Sequence, residues 1–233
     1  MTVPAQPSLP SVDAGRWLSQ PRLQVYLNHA GGDLPLALDL YLWNSTLAGA
    51  AMSDACHLEV ALRNAYDAEL SKLFPNWAVD RASALFTRTQ GVPRAVALQR
   101  RLNDGSVKSL DDVRRNMSIH ASHGQILAGL SFGFWTKLTE KDRTPIFWTP
   151  MLHHVFPAGT ARPDVHDLVV RINRFRNRLA HNEPVFSTRT GLRDRLGDVE
   201  ALFTLVNPAA ATFVKQHSSV AAIMARSPVA GLV

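Results

Sequence analysis

Apolar residues recur at helical spacing along almost the whole chain. They form a long periodic stretch over residues 34–74, which follows Gly31-Gly32 and ends at Pro75. The stretch is long enough for two helices that meet around residues 44–53. Farther along, periodic segments predict helices over residues 163–181, 192–206 and 208–224.

Capping residues add detail to these boundaries. Ser19 followed by Pro21 predicts a helix start, since serine caps a helix and proline is tolerated in its first turn. Two further pairs have the spacing of a capping box: Ser109 with Asp112, and Thr139 with Asp142.

The polar and apolar pattern favours one helical domain. Alternating runs that are typical of strands do not occur, and Asp104-Gly105 stands between helical stretches rather than in a hairpin. We therefore expect an all-α fold with a flexible N-terminal arm over residues 1–12. A single domain over residues 13–226 and a C-terminal tail over residues 227–233 complete the predicted organisation.

Composition narrows the class of protein. The chain has 233 residues, of which 46% are hydrophobic, enough for a substantial core and too many for a wholly disordered chain. Its single cysteine excludes an internal disulfide framework and suits a reducing compartment. No apolar run reaches the ~18 residues of a membrane span, and the N-terminus lacks signal-peptide features. We expect a cytoplasmic protein with no membrane partner.

The charge consists mainly of arginine. The chain has 25 Lys+Arg and 19 Asp+Glu, and 20 of the basic residues are arginines. Between Arg162 and Arg195, eight arginines face four acidic residues. Arginine offers a planar fork of donors that matches phosphate oxygens, so this zone is typical of a polyanion partner. High-GC coding bias also enriches arginine.

The helix predicted over residues 163–181 has two distinct faces on a wheel of about 100° per residue. Its apolar face predicts burial of Val165, Leu168, Ile172, Phe175 and Leu179. Its polar face carries Arg171, Arg174, Arg178, Asn177 and His181.

These polar residues are suited to cleaving RNA without a metal. Attack by a 2′-hydroxyl on the neighbouring phosphorus needs a base, donors for the phosphorane charge and an acid for the leaving 5′-oxygen. Histidine, with an ordinary pKa of about 6.5, serves as either base or acid. Arginine stabilises the phosphorane, and Asn177 holds an oxygen or orients the imidazole. A structural interpretation stands beside this one, because basic residues favour a helix C-terminus, Asn182 suits a left-handed cap and Pro184 blocks continuation.

The segment Arg176-Asn177-Arg178-Leu179-Ala180-His181 resembles the R-x4-6-H motif of HEPN-domain proteins, many of which are metal-independent ribonucleases. Together with residues 59–64 (EVALRN) and 130–135 (LSFGFW), it is similar to the Abi-like (abortive-infection) branch over about residues 17–186. The resemblance implies a HEPN-like helical bundle with additional helices, usually a homodimer. It also implies RNA cleavage in phage defence or toxin–antitoxin systems, with an antitoxin or other regulatory partner.

By this resemblance Arg176 and His181 are the catalytic pair, with Asn177 as the adjacent polar residue. On a regular helix Arg176 and His181 lie about 140° apart. Either His181 lies beyond the last regular turn, or the site is assembled across a dimer interface. Arg178, about 60° from His181, competes for the phosphate-binding role. Some HEPN toxins have a tyrosine, a target for nucleotidylation, where this chain has Glu183; we expect Glu183 to hold His181 or an arginine instead.

A second segment adds supporting candidates. Arg63-Asn64 echoes Arg176-Asn177, and Glu59 lies four residues before Arg63. Glu59 and Arg63 either form an ion pair along one helix or, as the resemblance implies, line the same groove. Arg171 and Arg174 complete the predicted RNA-binding set.

Other notable residues favour structural roles. The aromatic residues of 131–135 and 147–148 predict packing, with Gly133 allowing close helix approach, and Cys56 predicts a small buried hydrophobe. The histidine pairs at 120/123 and 153/154 lack the additional ligands that zinc needs, so we expect neither metal nor cofactor.

The leading hypothesis is therefore a dimeric, metal-independent HEPN-type endoribonuclease acting as a toxin or phage-defence effector. An alternative is a non-catalytic helical module that binds RNA or a protein through the same basic face. A third hypothesis is an inactive or antitoxin-like partner of another effector.

Overall fold

The computed structural model describes residues 9–86, 93–187 and 190–232. These residues form ten α-helices and no β-strand, which confirms the all-α prediction. The helices are α1 (Ser11–Leu18), α2 (Gln20–His29), α3 (Leu34–Leu73), α4 (Pro93–Arg115), α5 (His123–Gly129), α6 (Phe132–Lys137), α7 (Arg162–Ala180), α8 (Leu192–Val206), α9 (Pro208–His217) and α10 (Val220–Met224). Short 3₁₀ or π turns cover Ala84–Phe86, Lys141–Arg143, Thr144–Trp148 and Leu152–Val155. None of the helices in these ranges is both long and apolar enough to span a bilayer.

Helix α3 is the central element. It begins at an N-cap, where the side chain of Asp33 accepts a hydrogen bond from the N–H of Leu36 at 3.0 Å. It ends at Leu73, two residues before Pro75, and its 40 residues give it a length of roughly 60 Å. The prediction of two helices that meet around residues 44–53 is therefore wrong.

The main core is built around α3, which packs against α2, α7, α8 and α10. Buried apolar residues occur along most of its length, from Ala37 to Leu70. A second, smaller cluster of Ala14, Leu18 and Leu23 fixes α1 to α2. Other helices therefore pack against α3 near both of its ends and on several of its faces.

The C-terminal half follows the predicted helices with one correction. Helix α8 has the predicted bounds, and α7 ends one residue before the predicted end at His181. The helix predicted over residues 208–224 is two helices, α9 and α10, separated by Ser218 and Ser219.

The chain ends differ from the predicted organisation in detail. Helix α1 begins at Ser11, inside the predicted arm, and residues 1–8 of that arm lie outside the described residues. In the predicted tail, Val229 and Leu232 pack against the main core.

Both predicted capping boxes are wrong. Ser109 and Asp104-Gly105 lie inside α4, where the Ser109 hydroxyl donates to the carbonyl of Gly105 at 2.9 Å. The Thr139 hydroxyl donates to the Thr136 carbonyl at 2.8 Å instead of capping a following helix. A capping box does occur at the start of α5, between Ser122 and Gln125. Serine and threonine hydroxyls inside helices satisfy carbonyls one turn earlier, so spacing alone does not mark a helix start.

Aromatic packing fills the side of the core that faces α6. Phe132, Phe134 and Trp135 are buried, which confirms their predicted packing role. A Cβ on Gly133 would meet its nearest neighbouring atom at 3.7 Å, an ordinary van der Waals contact. Close helix approach therefore does not require glycine there, contrary to the prediction.

Asp67 binds His123, one member of the 120/123 histidine pair. Its Oδ1 accepts hydrogen bonds from Ser71 at 3.1 Å and from Trp77 Nε1 at 2.7 Å, and it contacts His123 Nε2 at 2.8 Å. This carboxylate ties α5 to α3 through His123. Within the described residues, no three His, Cys, Asp or Glu side chains are grouped to hold a metal ion.

Candidate functional site

Helix α7 buries the predicted apolar face. Val165, Ile172, Phe175 and Leu179 are buried, and Leu168 packs against the core at partial exposure. The helix faces α3 on one side and α8 on the other. Its remaining side chains are therefore divided between these two neighbours and the solvent.

His181 is the C-cap of α7, one residue beyond Ala180. Asn182 takes the left-handed conformation (φ 49°), as predicted. Its N–H donates to the Leu179 carbonyl at 3.0 Å, and the Glu183 N–H donates to the Arg178 carbonyl at 3.0 Å. These two bonds form a Schellman motif, which leaves the His181 side chain exposed at the end of the helix.

Residues of α3 hold the segment after His181 in place. Asn44, fully buried, donates through Nδ2 to the Glu183 carbonyl at 3.1 Å. Its Oδ1 accepts from the N–H of Val185 at 2.9 Å. Ser45 Oγ accepts from Asn182 Nδ2 at 2.7 Å. We call Asn44 and Ser45 the α3 clamp.

Helix α2 adds one more contact to this segment. A guanidinium nitrogen of Arg22 donates to the backbone carbonyl of His181 at 3.2 Å. The backbone of His181 is thus tied both to α7 and to α2, while its imidazole remains exposed.

Arg176 faces α3 rather than the solvent face of α7. Its Nε lies 3.9 Å from the Glu59 carboxylate, and its side chain is 33% exposed. Burial raises the pKa of Glu59, and the charges of Arg176 and Arg63 oppose that rise. Two arginines on different helices, Arg63 and Arg176, therefore act electrostatically on Glu59, and their shared groove stays a prediction. No ion pair within 4.0 Å joins Glu59 to Arg63 among the described residues.

Arg178 pairs with the residue that follows the cap. Its Nε lies 3.0 Å from the Glu183 carboxylate, so Glu183 holds an arginine, one of its two predicted roles. This contact is an ion pair without a hydrogen bond from Nε, because the N–H does not point at the carboxylate oxygen. Within the described ranges, the buried Nε atoms of Arg63, Arg176 and Arg178 have no hydrogen-bond acceptor. These three atoms are themselves buried, and those of Arg176 and Arg178 face carboxylates.

Arg171 occupies a different environment. Its guanidinium donates to both carboxylate oxygens of Asp198 on α8, at 3.0 and 2.8 Å. Arg195 lies 2.7 Å from the same carboxylate. The hydrogen bond to Asp198 raises the pKa of Arg171. Arg171 is therefore a link between α7 and α8 rather than a free cation beside His181.

The other predicted residues lie at the surface. Arg174, Asn177 and Asn64 are exposed. Cys56 is also exposed, so its predicted burial is wrong. Although the residue is exposed, partial burial of its thiol and the charge of Glu59 raise the pKa of Cys56, while Arg176 lowers it. Cys56 thus belongs to the same electrostatic environment as Glu59 and Arg176.

The structure answers part of the geometric question about Arg176 and His181. His181 lies beyond the last helical residue, which is the first of the two predicted alternatives. Arg176 pairs with Glu59 on α3, and the backbone of His181 binds Arg22 on α2. The second alternative concerns a second copy of the chain and stays a prediction.

Sequence reasoning missed Asn44, Ser45 and Arg22. Asn44 stands out as a polar residue in an apolar stretch, a signal that was interpreted as a helix break. Its partners lie about 140 positions away along the chain, which periodicity cannot reveal. A pocket of about 290 Å³ between α8, α9 and α10 contains none of the predicted site residues.

No family model matches this chain, and no curated protein or solved structure matches it either. The resemblance to Abi-like HEPN proteins therefore stays a prediction that rests on the quoted segments.

Proposed function

We propose that this chain is a metal-independent endoribonuclease of the HEPN type, acting as a toxin or phage-defence effector. The observation that carries the proposal is the arrangement of α7. It presents an exposed imidazole at its end and, on the same helix, the guanidinium groups of Arg176 and Arg178, whose side chains are 33% and 31% exposed.

The proposed chemistry assigns a role to each group. The 2′-oxygen attacks the neighbouring phosphorus, the bond to the 5′-oxygen breaks, and a 2′,3′-cyclic phosphate forms. His181 takes the proton of the 2′-hydroxyl or gives one to the leaving 5′-oxygen. In a homodimer, His181 of the second copy supplies the complementary proton transfer. Arg176 stabilises the negative charge on the phosphorane, and Asn177 binds an oxygen or orients the imidazole.

The neighbouring side chains support these roles. Glu59 holds Arg176 on the α3 side, and Arg63 adds positive charge beside it. Arg178 competes with Arg176 for the phosphate, since it lies closer in sequence to His181 and about 60° from it on a regular helix. Arg174 and Asn64, both exposed, extend the basic surface toward solvent.

The test is RNA cleavage in the presence of EDTA by wild type, Arg176→Ala and His181→Ala. Acid–base catalysis is typically worth 10²–10⁴-fold, so we expect His181→Ala to lose about that factor. His217→Ala is a matched control, because His217 is likewise an exposed histidine at a helix end. Arg193→Ala, an exposed arginine on α8, is the control for Arg176. If wild type cuts nothing, or cuts no better than both site variants, the catalytic proposal is wrong.

Two further measurements connect this chemistry to its proposed role. Products ending in 2′,3′-cyclic phosphate, with no cleavage at a 2′-deoxy position, support attack by the 2′-hydroxyl. Growth arrest on expression in a bacterial host, abolished by His181→Ala, supports the toxin or effector role. Growth arrest that persists in His181→Ala contradicts it.

A second candidate is a non-catalytic module that binds RNA or a protein through the same basic face. The pairing of Arg176 with Glu59 and of Arg178 with Glu183 favours it, since both guanidinium groups contact carboxylates and are less available to a phosphorane, whereas Arg174 on the same helix is exposed. Such a module would bind less tightly as salt rises and would be indifferent to His181→Ala.

A further inference from the structure

The surface beside His181 contains an aromatic side chain that the core does not use. Trp17, on α1, is 56% exposed, whereas Trp43, Trp77, Trp135 and Trp148 are all at most 8% exposed. It is not part of the small apolar cluster that fixes α1 to α2. Its ring contact is with Tyr41, at 5.1 Å between centroids and an interplanar angle of 81°. Such a T-shaped contact occupies at most one face of the indole.

A short series of contacts joins Trp17 to the His181 segment. Tyr41 accepts, at its backbone carbonyl, a hydrogen bond from Ser45 Oγ at 3.1 Å. Ser45 in turn accepts from Asn182 at 2.7 Å, the residue next to His181. Tyr41 and Ser45 are one helical turn apart, so Trp17 and the residue next to His181 contact neighbouring positions on α3.

Two arginines are close to Trp17 in the sequence. Arg16 precedes Trp17, and its side chain is 79% exposed, with a loose contact of 3.8 Å to Asp13. Arg22, at the start of α2, binds the His181 carbonyl. We call Trp17, Arg16 and Arg22 the Trp17 surface. An aromatic face flanked by arginines fits a single-stranded nucleic acid, in which an unpaired base stacks and the phosphates meet cations.

We propose that Trp17 is a base-stacking platform that makes the site select single-stranded RNA. An unpaired base of the strand stacks on the free face of the indole, while Arg16 and Arg22 bind the adjoining phosphates. The strand continues to His181 and Arg178. A duplex binds less well, because its bases are stacked on each other and do not present a free face. This inference rests on the proposed ribonuclease function and adds the form of RNA that it takes.

The first test measures binding without cleavage. The probe is a short single-stranded 2′-O-methyl oligoribonucleotide, which lacks the attacking hydroxyl, together with the duplex of the same sequence. Stacking on Trp17 should quench tryptophan emission, and Trp17→Phe should remove that quenching since the other four indoles are buried. Trp17→Ala should weaken single-strand binding, measured by fluorescence anisotropy, about five- to 100-fold. Trp17→Phe should lose less, because it keeps an aromatic ring.

A matched control comes from α9. Phe213 is 62% exposed, and its ring centroid lies 4.3 Å from that of His217 on the same helix. Phe213→Ala should leave binding unchanged. Equal binding of duplex and single strand overturns the proposal, as does equal binding by wild type and Trp17→Ala. A change in Trp17 emission with protein concentration alone also overturns it, because a second copy then covers the indole.

The second test separates this inference from the proposed function. If RNA is not cut but the oligonucleotide quenches Trp17, the ribonuclease proposal fails and the stacking platform stands. The preference for single strands is the kcat/KM for single-stranded RNA divided by that for hairpin RNA. If wild type cuts RNA and Trp17→Ala has the same preference as wild type, the stacking proposal fails and the ribonuclease proposal stands. We expect Trp17→Ala to lower the preference for single-stranded over hairpin RNA toward one, mainly through a higher KM for single-stranded RNA.

Discussion

The side chain of Asn44, in the N-terminal third of α3, accepts a hydrogen bond from the backbone N–H of Val185 at 2.9 Å. Its amide also donates to the carbonyl of Glu183. One buried amide thus satisfies two backbone groups of the segment that follows His181. The position of the proposed acid–base residue therefore depends on a helix that is remote from it in sequence.

Asn44→Ala should lower the free energy of unfolding by about 2–4 kcal/mol, because it leaves two backbone groups buried without partners. Urea denaturation measures this loss. Asn64→Ala is the control, since Asn64 is exposed on the same helix and its removal should change stability by less than about 0.5 kcal/mol. If both variants unfold at the same urea concentration, the α3 clamp does not contribute to stability.

Glu59 should make stability depend on pH in a defined direction. Burial raises its pKa in the folded chain above the ordinary value of 4.5. The folded state then holds the proton more tightly than the unfolded state, so this contribution is complete below pH 4.5 and is lost as the pH rises through the folded pKa. Relative to Glu59→Gln, wild type should lose stability over that window. Denaturation of both proteins across the window measures the difference. A relative gain instead would mean that Arg176 and Arg63 outweigh burial.

Cys56 should report the charges of its neighbours. The thiolate is the reactive form, and Glu59 raises the pKa of the thiol while Arg176 lowers it. At fixed pH, Glu59→Gln should therefore speed alkylation, and Arg176→Ala should slow it. Mass spectrometry of iodoacetamide labelling gives both rates, with Cys56→Ser as the blank. Shifts of the same sign in the two variants would contradict the proximity of these three side chains.

Asp198→Asn should loosen α7 from α8. The carboxylate pairs with both Arg171 and Arg195. Hydrogen bonds to charged groups contribute about 1.5–3 kcal/mol and exposed ion pairs less than about 1, so we expect a loss of about 1–2 kcal/mol. The loss should shrink with added salt. Glu200→Gln, on the same helix as Asp198, removes an exposed pair with Lys215 of α9 and should cost less than about 0.5 kcal/mol.

Periodicity predicted the elements whose fold depends on local sequence. Helices α7 and α8, the buried face of α7 and the left-handed Asn182 all follow from apolar spacing and capping residues. The long α3 was harder to predict, because the polar residues Asn44 and Ser45 resemble a break. In the fold, these two polar side chains form hydrogen bonds with residues 182–185 instead of with water, so they can lie within a packed helix.

The site was predicted only in part for the same reason. A helical wheel separates Arg176 from His181 and identifies His181 as a helix-end residue. It cannot show that Arg171 is bound by Asp198, since that partner is on another helix. Nor can it show that Cys56 is exposed, because that depends on how α3 is covered.

The unbroken course of α3 has a consequence for which sequence changes the chain tolerates. Asn44 and Glu59 lie on this single helix, separated by roughly 22 Å of axial rise. An insertion of one residue between them would rotate everything beyond it by about 100°. The His181 segment and Arg176 would then no longer find their partners together. Insertions and deletions are therefore expected in the loops of this chain, because the spacing between residues along α3 must be kept.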